Sequence, residues 1–147
     1  MDGLEMLEED HRKVEKLFND FEEQGDQAYK TKQGIAEKVI EELTVHSEME
    51  EQVLYPFAQE QIEDTEENVR ESFEEHHVVE ELMKEIGGMG PEDEQFDAKV
   101  TVLMENVRHH IEEEEGDLFP KIRKALGTER LEELGERMQA VKAGVKS

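Results

Sequence analysis

His46-Ser47-Glu48-Met49-Glu50-Glu51-Gln52-Val53-Leu54-Tyr55-Pro56 reads HxxxEExxLYP, and 64 residues later His110-Ile111-Glu112-Glu113-Glu114-Glu115-Gly116-Asp117-Leu118-Phe119-Pro120 reads HxxxEExxLFP. Residues four apart lie on one face of a helix, so each copy aims an imidazole and a carboxylate at one spot. A second pair of segments recurs at nearly the same offset. Asp10-His11 with Val14 and Leu17 behind it matches Glu75-His76 with Val79 and Leu82. The sequence is a duplicated helical hairpin whose halves each carry a His and then HxxxE.

Composition supports helices. Glu, Lys, Leu and Met dominate and Pro occurs only 3 times, so the fold class expected is all-α. At 147 residues the chain is expected to form a single domain, 1–147, large enough to bury about two thirds of its unfolded surface around one core. Asp and Glu number 41 against 17 Lys and Arg, a net charge of −24, which repels phosphate backbones and anionic lipid headgroups. Neither nucleic acid nor membrane is an expected partner. There is no Cys, so disulfides, Cys zinc sites and Cys-ligated clusters are excluded, and His and carboxylate remain as the strong metal ligands. The first residues show no basic and apolar leader pattern and no later apolar run approaches membrane-spanning length, so a cytoplasmic location is the default expectation.

Working outward from the repeats, the periodicity predicts four long helices and a fifth. The first runs from about Leu4 to Gln24 with Leu4, Leu7, His11, Val14, Phe18 and Phe21 on one stripe, ended at Gly25. The second, about Gln27 to Leu54, carries Ile35 or Ala36, then Val39, Leu43, His46, Glu50 and Val53, and Pro56 disfavours its plain continuation. Asp64 or Thr65 caps a third helix with the stripe Val69, Phe73, His76, Val79, Met83 and Ile86. After the linker Gly87-Gly88-Met89-Gly90-Pro91, a fourth helix from about Glu92 carries Phe96, Val100, Leu103, Val107, His110, Glu114 and Leu118. A short segment from Lys121 to Leu126 and a last helix over about 128–146 follow. The latter, with Leu131, Leu134, Met138, Val141 and Val145, packs outside the bundle or makes a dimer contact.

Four His and two Glu therefore sit on stripes that are otherwise Leu, Val, Phe and Met. Burying such groups unpaired costs roughly 1–3 kcal/mol each, and more for ionised carboxylates, so His11, His46, Glu50, His76, His110 and Glu114 call for a compensating cation. The alternative is a self-satisfied His–Glu network, which two copies in matching context disfavour. HExxH is absent, against zinc-hydrolase sites, and the ExxH of Glu74 to His77 has its His off the seam, against a ferritin-like site. His77 and His109 also lie off the stripes and read as surface or supporting histidines. Glu15, Glu51, Glu80 and Glu115 are candidate extra ligands, and Met49, Met83 and Met104 are core.

These residues, Asp10-His11, His46-xxx-Glu50, Glu75-His76 and His110-xxx-Glu114 with the Leu-Tyr-Pro and Leu-Phe-Pro ends, resemble the hemerythrin-like (HHE cation-binding) family over about residues 4–126. The final helix resembles the tail helix of bacterial and actinobacterial members with an H-HxxxE-H-HxxxE set. The resemblance implies an antiparallel up-down four-helix bundle with an additional C-terminal helix. It also implies a centre of two non-heme Fe ions with an oxo or hydroxo bridge. Glu50 and Glu114 would bridge them, with His11 and His46 serving one iron and His76 and His110 the other. Oxygen-carrying hemerythrins have HxxxH on the third helix, whereas Ser72 and Glu80 flank His76 here. Their last ligand pair is spaced by four residues, which leaves Glu115, or His109 with Glu114, open beside the His110–Glu114 pairing that the seam favours.

Losing a fifth His makes the two metal positions more alike and disfavours reversible oxygen transport. The function this implies is a diiron protein that binds or turns over small oxidants, namely oxygen, hydrogen peroxide or nitric oxide, with catalase-like peroxide disproportionation as the specific activity. The alternative is a non-catalytic iron or oxygen sensor or an iron store. With no output domain among these residues, sensing would need a protein partner.

Overall fold

The computed structural model describes residues 1–146. Helix α1 spans Gly3–Glu22, and Asp2 starts it by accepting a 2.8 Å hydrogen bond from the Glu5 amide. Helix α2 spans Tyr29–Met49 and runs through a π-helical turn, Glu50–Leu54, into α3, Tyr55–Gln61. Helix α4 covers Glu66–Gly87 and α5 covers Phe96–Glu113. A second π-helical turn, Glu114–Leu118, leads into α6, Phe119–Ala125, and α7 spans Thr128–Lys146. Helices α1, α2, α4 and α5 form the antiparallel bundle, and α7 packs on the outside of α1 and α2.

Pro56 and Pro120 do something other than end a helix. In the π-helical turns the amide of Tyr55 bonds the Glu50 carbonyl and that of Phe119 bonds the Glu114 carbonyl, five residues back. Pro56 and Pro120 then fall in the first turn of α3 and α6, where a missing N–H is tolerated. The interruption expected at Pro56 is thus a widened turn, and the residues after it, to which the sequence pattern assigns no element, form α3. The extra residue per turn also rotates the chain, so that Glu50, Val53, Leu54 and Tyr55 are all buried.

Other boundaries shift for local reasons. Helix α5 begins at Phe96 rather than near Glu92, because the Asp93 carboxylate accepts from the Gln95 amide and holds a turn there. Thr65 precedes α4, but its hydroxyl donates back to the Ala58 and Ile62 carbonyls, tying α3 to α4. Asp64 takes a left-handed φ of 64° in this connection. Phe73, expected on the inner stripe, is 38 % exposed, and Ser72 is buried in its place. On α2, Ala36 rather than Ile35 is fully inside.

The core divides into two apolar clusters. One gathers Leu4, Leu7, Met49, Leu54, Leu118, Phe119 and Ile122 with Leu131, Leu134 and Met138 of α7. The other gathers Val14, Phe18, Phe21, Leu43, Val79, Phe96, Leu103 and Val107. Each fully buried Leu, Val or Phe contributes about 1.5–3 kcal/mol, so these layers carry the stability of the bundle. Between them, contributed by each of the four bundle helices and the π-helical turns that extend α2 and α5, lie the polar positions His11, His46 and Glu50, His76, and His110 and Glu114. Gly3 and Gly135 let α1 and α7 approach closely, since a methyl group at Gly135 would collide with the Met1 carbonyl oxygen.

Candidate metal centre

The polar layer is buried. Glu50 and Glu114 are 0 % and 1 % exposed, and none of His11, His46, His76 and His110 exceeds 8 %. Two ligand groups meet there: His11, His46, Glu50 and Glu114 in one, and Glu50, His76 and His110 in the other. Glu50 belongs to both. Its Oε1 lies 3.4 Å from His46 Nε2 and 3.1 Å from His76 Nε2. Glu114 also faces both sides, with Oε1 3.3 Å from His11 Nε2 and Oε2 3.2 Å from His110 Nε2. The six sequence-predicted site residues are thus brought together, and His110, not His109, faces Glu114. His109 instead pairs with Glu113 at 2.7 Å on the surface.

A further ring of carboxylates orients the imidazoles. Asp10 Oδ2 lies 3.0 Å from His46 Nδ1, Glu51 Oε2 2.7 Å from His76 Nδ1, Glu75 Oε1 2.6 Å from His110 Nδ1, and Glu115 Oε2 2.5 Å from His11 Nδ1. With each Nδ1 engaged outward, every Nε2 points to the middle, the arrangement by which a carboxylate fixes the tautomer and ring plane of a metal-bound histidine. The duplication extends to this ring, because the acid before each lone His supports the His of HxxxE, and the second acid of HxxxEE supports the lone His. Glu51 and Glu115 are therefore supports rather than members of the inner groups. Glu15 is engaged by Arg108, and Glu80 pairs with Lys84.

Tyr55 is the residue that sequence reading missed. It is fully buried, its hydroxyl donates a 2.6 Å hydrogen bond to Glu114 Oε2, and the same oxygen lies 3.2 Å from Nε2 of both His76 and His110. Burial, with Glu114 and Glu50 close by, holds its pKa well above the ordinary phenol value. The signal was present, since the repeat has Tyr at 55 and Phe at 119. Phe119 stacks on the His11 ring, 6.0 Å between centroids.

The charges interlock. Burial opposes a charge on His46, yet Glu50 beside it and the Asp10 hydrogen bond raise its pKa to about 10. Burial likewise works against the Glu50 carboxylate, but His46 holds it well below the usual range. His76 and His110 are raised in the same way, against burial, chiefly by Glu50 and Glu114 respectively.

Five buried atoms nevertheless lack a hydrogen-bond partner: His11 Nε2, His46 Nε2, both oxygens of Glu50 and Glu114 Oε1. Buried polar groups are almost always satisfied, so five orphans facing one another fit the donor shell of a cation. Imidazole nitrogen with carboxylate oxygen suits iron, manganese or zinc.

The profile of the Hemerythrin HHE cation binding domain matches residues 2–122. The chain belongs to this family. A crystal structure of a hemerythrin HHE cation-binding domain-containing protein from Mycobacterium kansasii superposes with a TM-score of 0.82 at 20 % identity, covering 98 % of this chain and 86 % of that one, which shows the shared fold. A hemerythrin-like protein of Schizosaccharomyces pombe is 30 % identical over 82 % of this chain and 59 % of its own length. A protein of Nostoc sp. named a DNA nickase is 29 % identical over 99 % of this chain but only 40 % of its own length. This HHE chain therefore spans about two fifths to three fifths of those two curated relatives. Among the described residues no helix is long and apolar enough to cross a membrane.

Proposed function

We propose that Glu50 and Glu114 bridge two iron ions, one beside His11 and His46 and the other beside His76 and His110, and that the centre binds or turns over oxygen, peroxide or nitric oxide. The observation that carries this reading is the set of five orphaned buried atoms converging from α1, α2 and the two π-helical turns. Bound iron supplies open coordination positions and exchangeable electrons for small ligands. The protein supplies the rest. A cavity of about 30 Å³ lies against the four histidines and Glu50, walled by Val14, Leu43, Val79, Val107 and Ile111. By that measure it has room for a ligand of about two heavy atoms. Tyr55 keeps a proton at its hydroxyl beside Glu114, positioned for donation toward the centre.

The name of the Nostoc relative does not favour DNA as a partner here, because a net charge of −24 opposes contact with a phosphate backbone. Peroxide disproportionation, catalase-like, is the specific activity proposed. Iron-loaded protein is expected to hold about two ions per chain and to evolve oxygen from hydrogen peroxide over many equivalents. Glu50→Ala or Glu114→Ala should abolish that turnover. One ion per chain, or none, would defeat the diiron reading. A single oxidation followed by arrest, or oxygen evolution no greater than that of matched free iron, would instead favour a sensor or store.

A further inference from the structure

The duplication that builds the centre also builds two seams beside it, one between α2 and α4 and one between α5 and α1. They differ in what fills them. On the α2–α4 side a groove of about 190 Å³ is lined by Thr44, Ser47, Glu48, Glu51, His76 and Glu80 with Met83. Ser47 and His76 also line the inner cavity against the centre, so groove and cavity meet across a serine and a ligand imidazole. Beyond them lies Glu50, 0 % exposed, with both oxygens unpartnered.

Each of these positions has a counterpart on the other seam. Ile111 stands where Ser47 does, Arg108 where Thr44 does, and Arg12 where the exposed His77 does. Both arginines are used to close the gap. Arg108 bonds Glu15 at 2.9 Å and Glu22 at 3.0 Å and lies over the Phe18 ring, while Arg12 bonds Glu115 at 3.0 Å. Glu15 and Glu115, the counterparts of Glu80 and Glu51, are thereby neutralised. On the α2–α4 seam no guanidinium intervenes among the described contacts. Glu48 accepts from Gln52, Glu80 meets the exposed Lys84 at 3.4 Å, and Glu51 reaches from solvent to His76 Nδ1 at 2.7 Å.

We propose that the acidic groove between α2 and α4 is the route by which the divalent cation enters the centre, with Glu48 and Glu80 concentrating it at the mouth and Glu51 passing it toward His76. A cleft lined by one sign of charge raises the local concentration of the opposite ion and its rate of arrival. The α5–α1 seam, plugged by Ile111 and two guanidinium groups, is closed to cations. This rests on the reading of the buried clusters as a metal centre and adds a kinetic role for residues outside it.

The test is the rate at which chelator-stripped full-length protein takes up Co²⁺, followed by stopped-flow absorbance at low ionic strength. Thr44→Arg copies the plugged seam onto the open one at an exposed helical position. Glu48→Gln combined with Glu80→Gln removes the charge at the mouth, and Glu112→Gln, at the exposed repeat counterpart of Glu48, is the control. Uptake should slow roughly threefold to tenfold in the first two variants, with wild-type end point and spectrum, while Glu112→Gln follows wild type. Wild-type rates in both test variants overturn the route and leave the centre standing. A lowered end point at an unchanged rate also overturns it, because those residues would then belong to the site. A wild-type chain that takes up no Co²⁺ overturns the centre and the route together.

Discussion

The two halves of the centre are built from the same motif, yet one is closed by a hydroxyl and the other by a hydrocarbon ring. Tyr55, from the first HxxxE copy, sits against His76 and His110 and donates to Glu114, whereas Phe119, from the second, stacks on His11 and can donate nothing. One oxygen of Glu114 is thereby satisfied, and neither oxygen of Glu50 is. A second asymmetry lies outside. Helix α7 packs on α1, α2 and the first π-helical turn, so the side chain of Asp10, behind His46, is 11 % exposed, while that of Glu75, behind His110, is 27 % exposed. Duplication therefore fixes which side chains face the centre and leaves each half free to set their surroundings.

The supporting carboxylates give the sharpest way to break that comparison. Removing such a support lowers metal affinity roughly 10- to 100-fold, and a more buried support has less water available to replace it. Asp10→Asn is expected near the upper end of that range and Glu75→Gln near the lower, as measured by competition with a chromogenic chelator. Equal losses would show that α7 and its burial of Asp10 do not distinguish the halves.

Tyr55→Phe makes the two halves alike. Its cost is the hydrogen bond to a buried carboxylate oxygen, about 1–3 kcal/mol, because Glu114 Oε2 would lose its donor while remaining out of water. Denaturant midpoints of chelated protein should fall accordingly with an unchanged slope. An unchanged midpoint would mean that the phenol merely fills space. The proton-donor role is read separately, from slower peroxide turnover in iron-loaded Tyr55→Phe at full metal content.

How much of this was legible varies with the physics involved. The six inner residues could be read because burial of His and Glu on an apolar stripe is written in helical spacing, twice. The Nδ1 supports could be read only as nearby acids, since whether Glu51 ligates or supports depends on the rotation introduced by the π-helical turn. That turn was hidden because Pro56 signals a stop wherever the helix keeps its ordinary pitch. The choice of Ser72 over Phe73 was hidden too, as both fit the period between Val69 and His76. Hydrophobicity favours Phe, but the space is taken by Tyr55, and the Phe73 ring is left packing edge-on against it at 5.4 Å. Thr44 and Arg108 likewise look unrelated until the two seams are laid side by side.

The smallest expected effect concerns the two histidines outside the centre. His77 follows one inner histidine and His109 precedes another, so each is one residue from the seam, but both are exposed. A turn of about 100° per residue takes them away from the core, and the 2.7 Å pair of His109 with Glu113 is a surface ion pair of the kind that contributes about 0–1 kcal/mol. His77→Ala and His109→Ala should each change stability by no more than about 0.5 kcal/mol, the usual range for exposed substitutions, and leave metal content untouched. Because His109 adjoins an inner histidine in the sequence as closely as any residue can, its variant separates burial from proximity as the property that would select a ligand. Loss of one equivalent of metal in His109→Ala would mean that the imidazole reaches inward in the loaded protein, and that the four-histidine shell is drawn one residue out of register on α5.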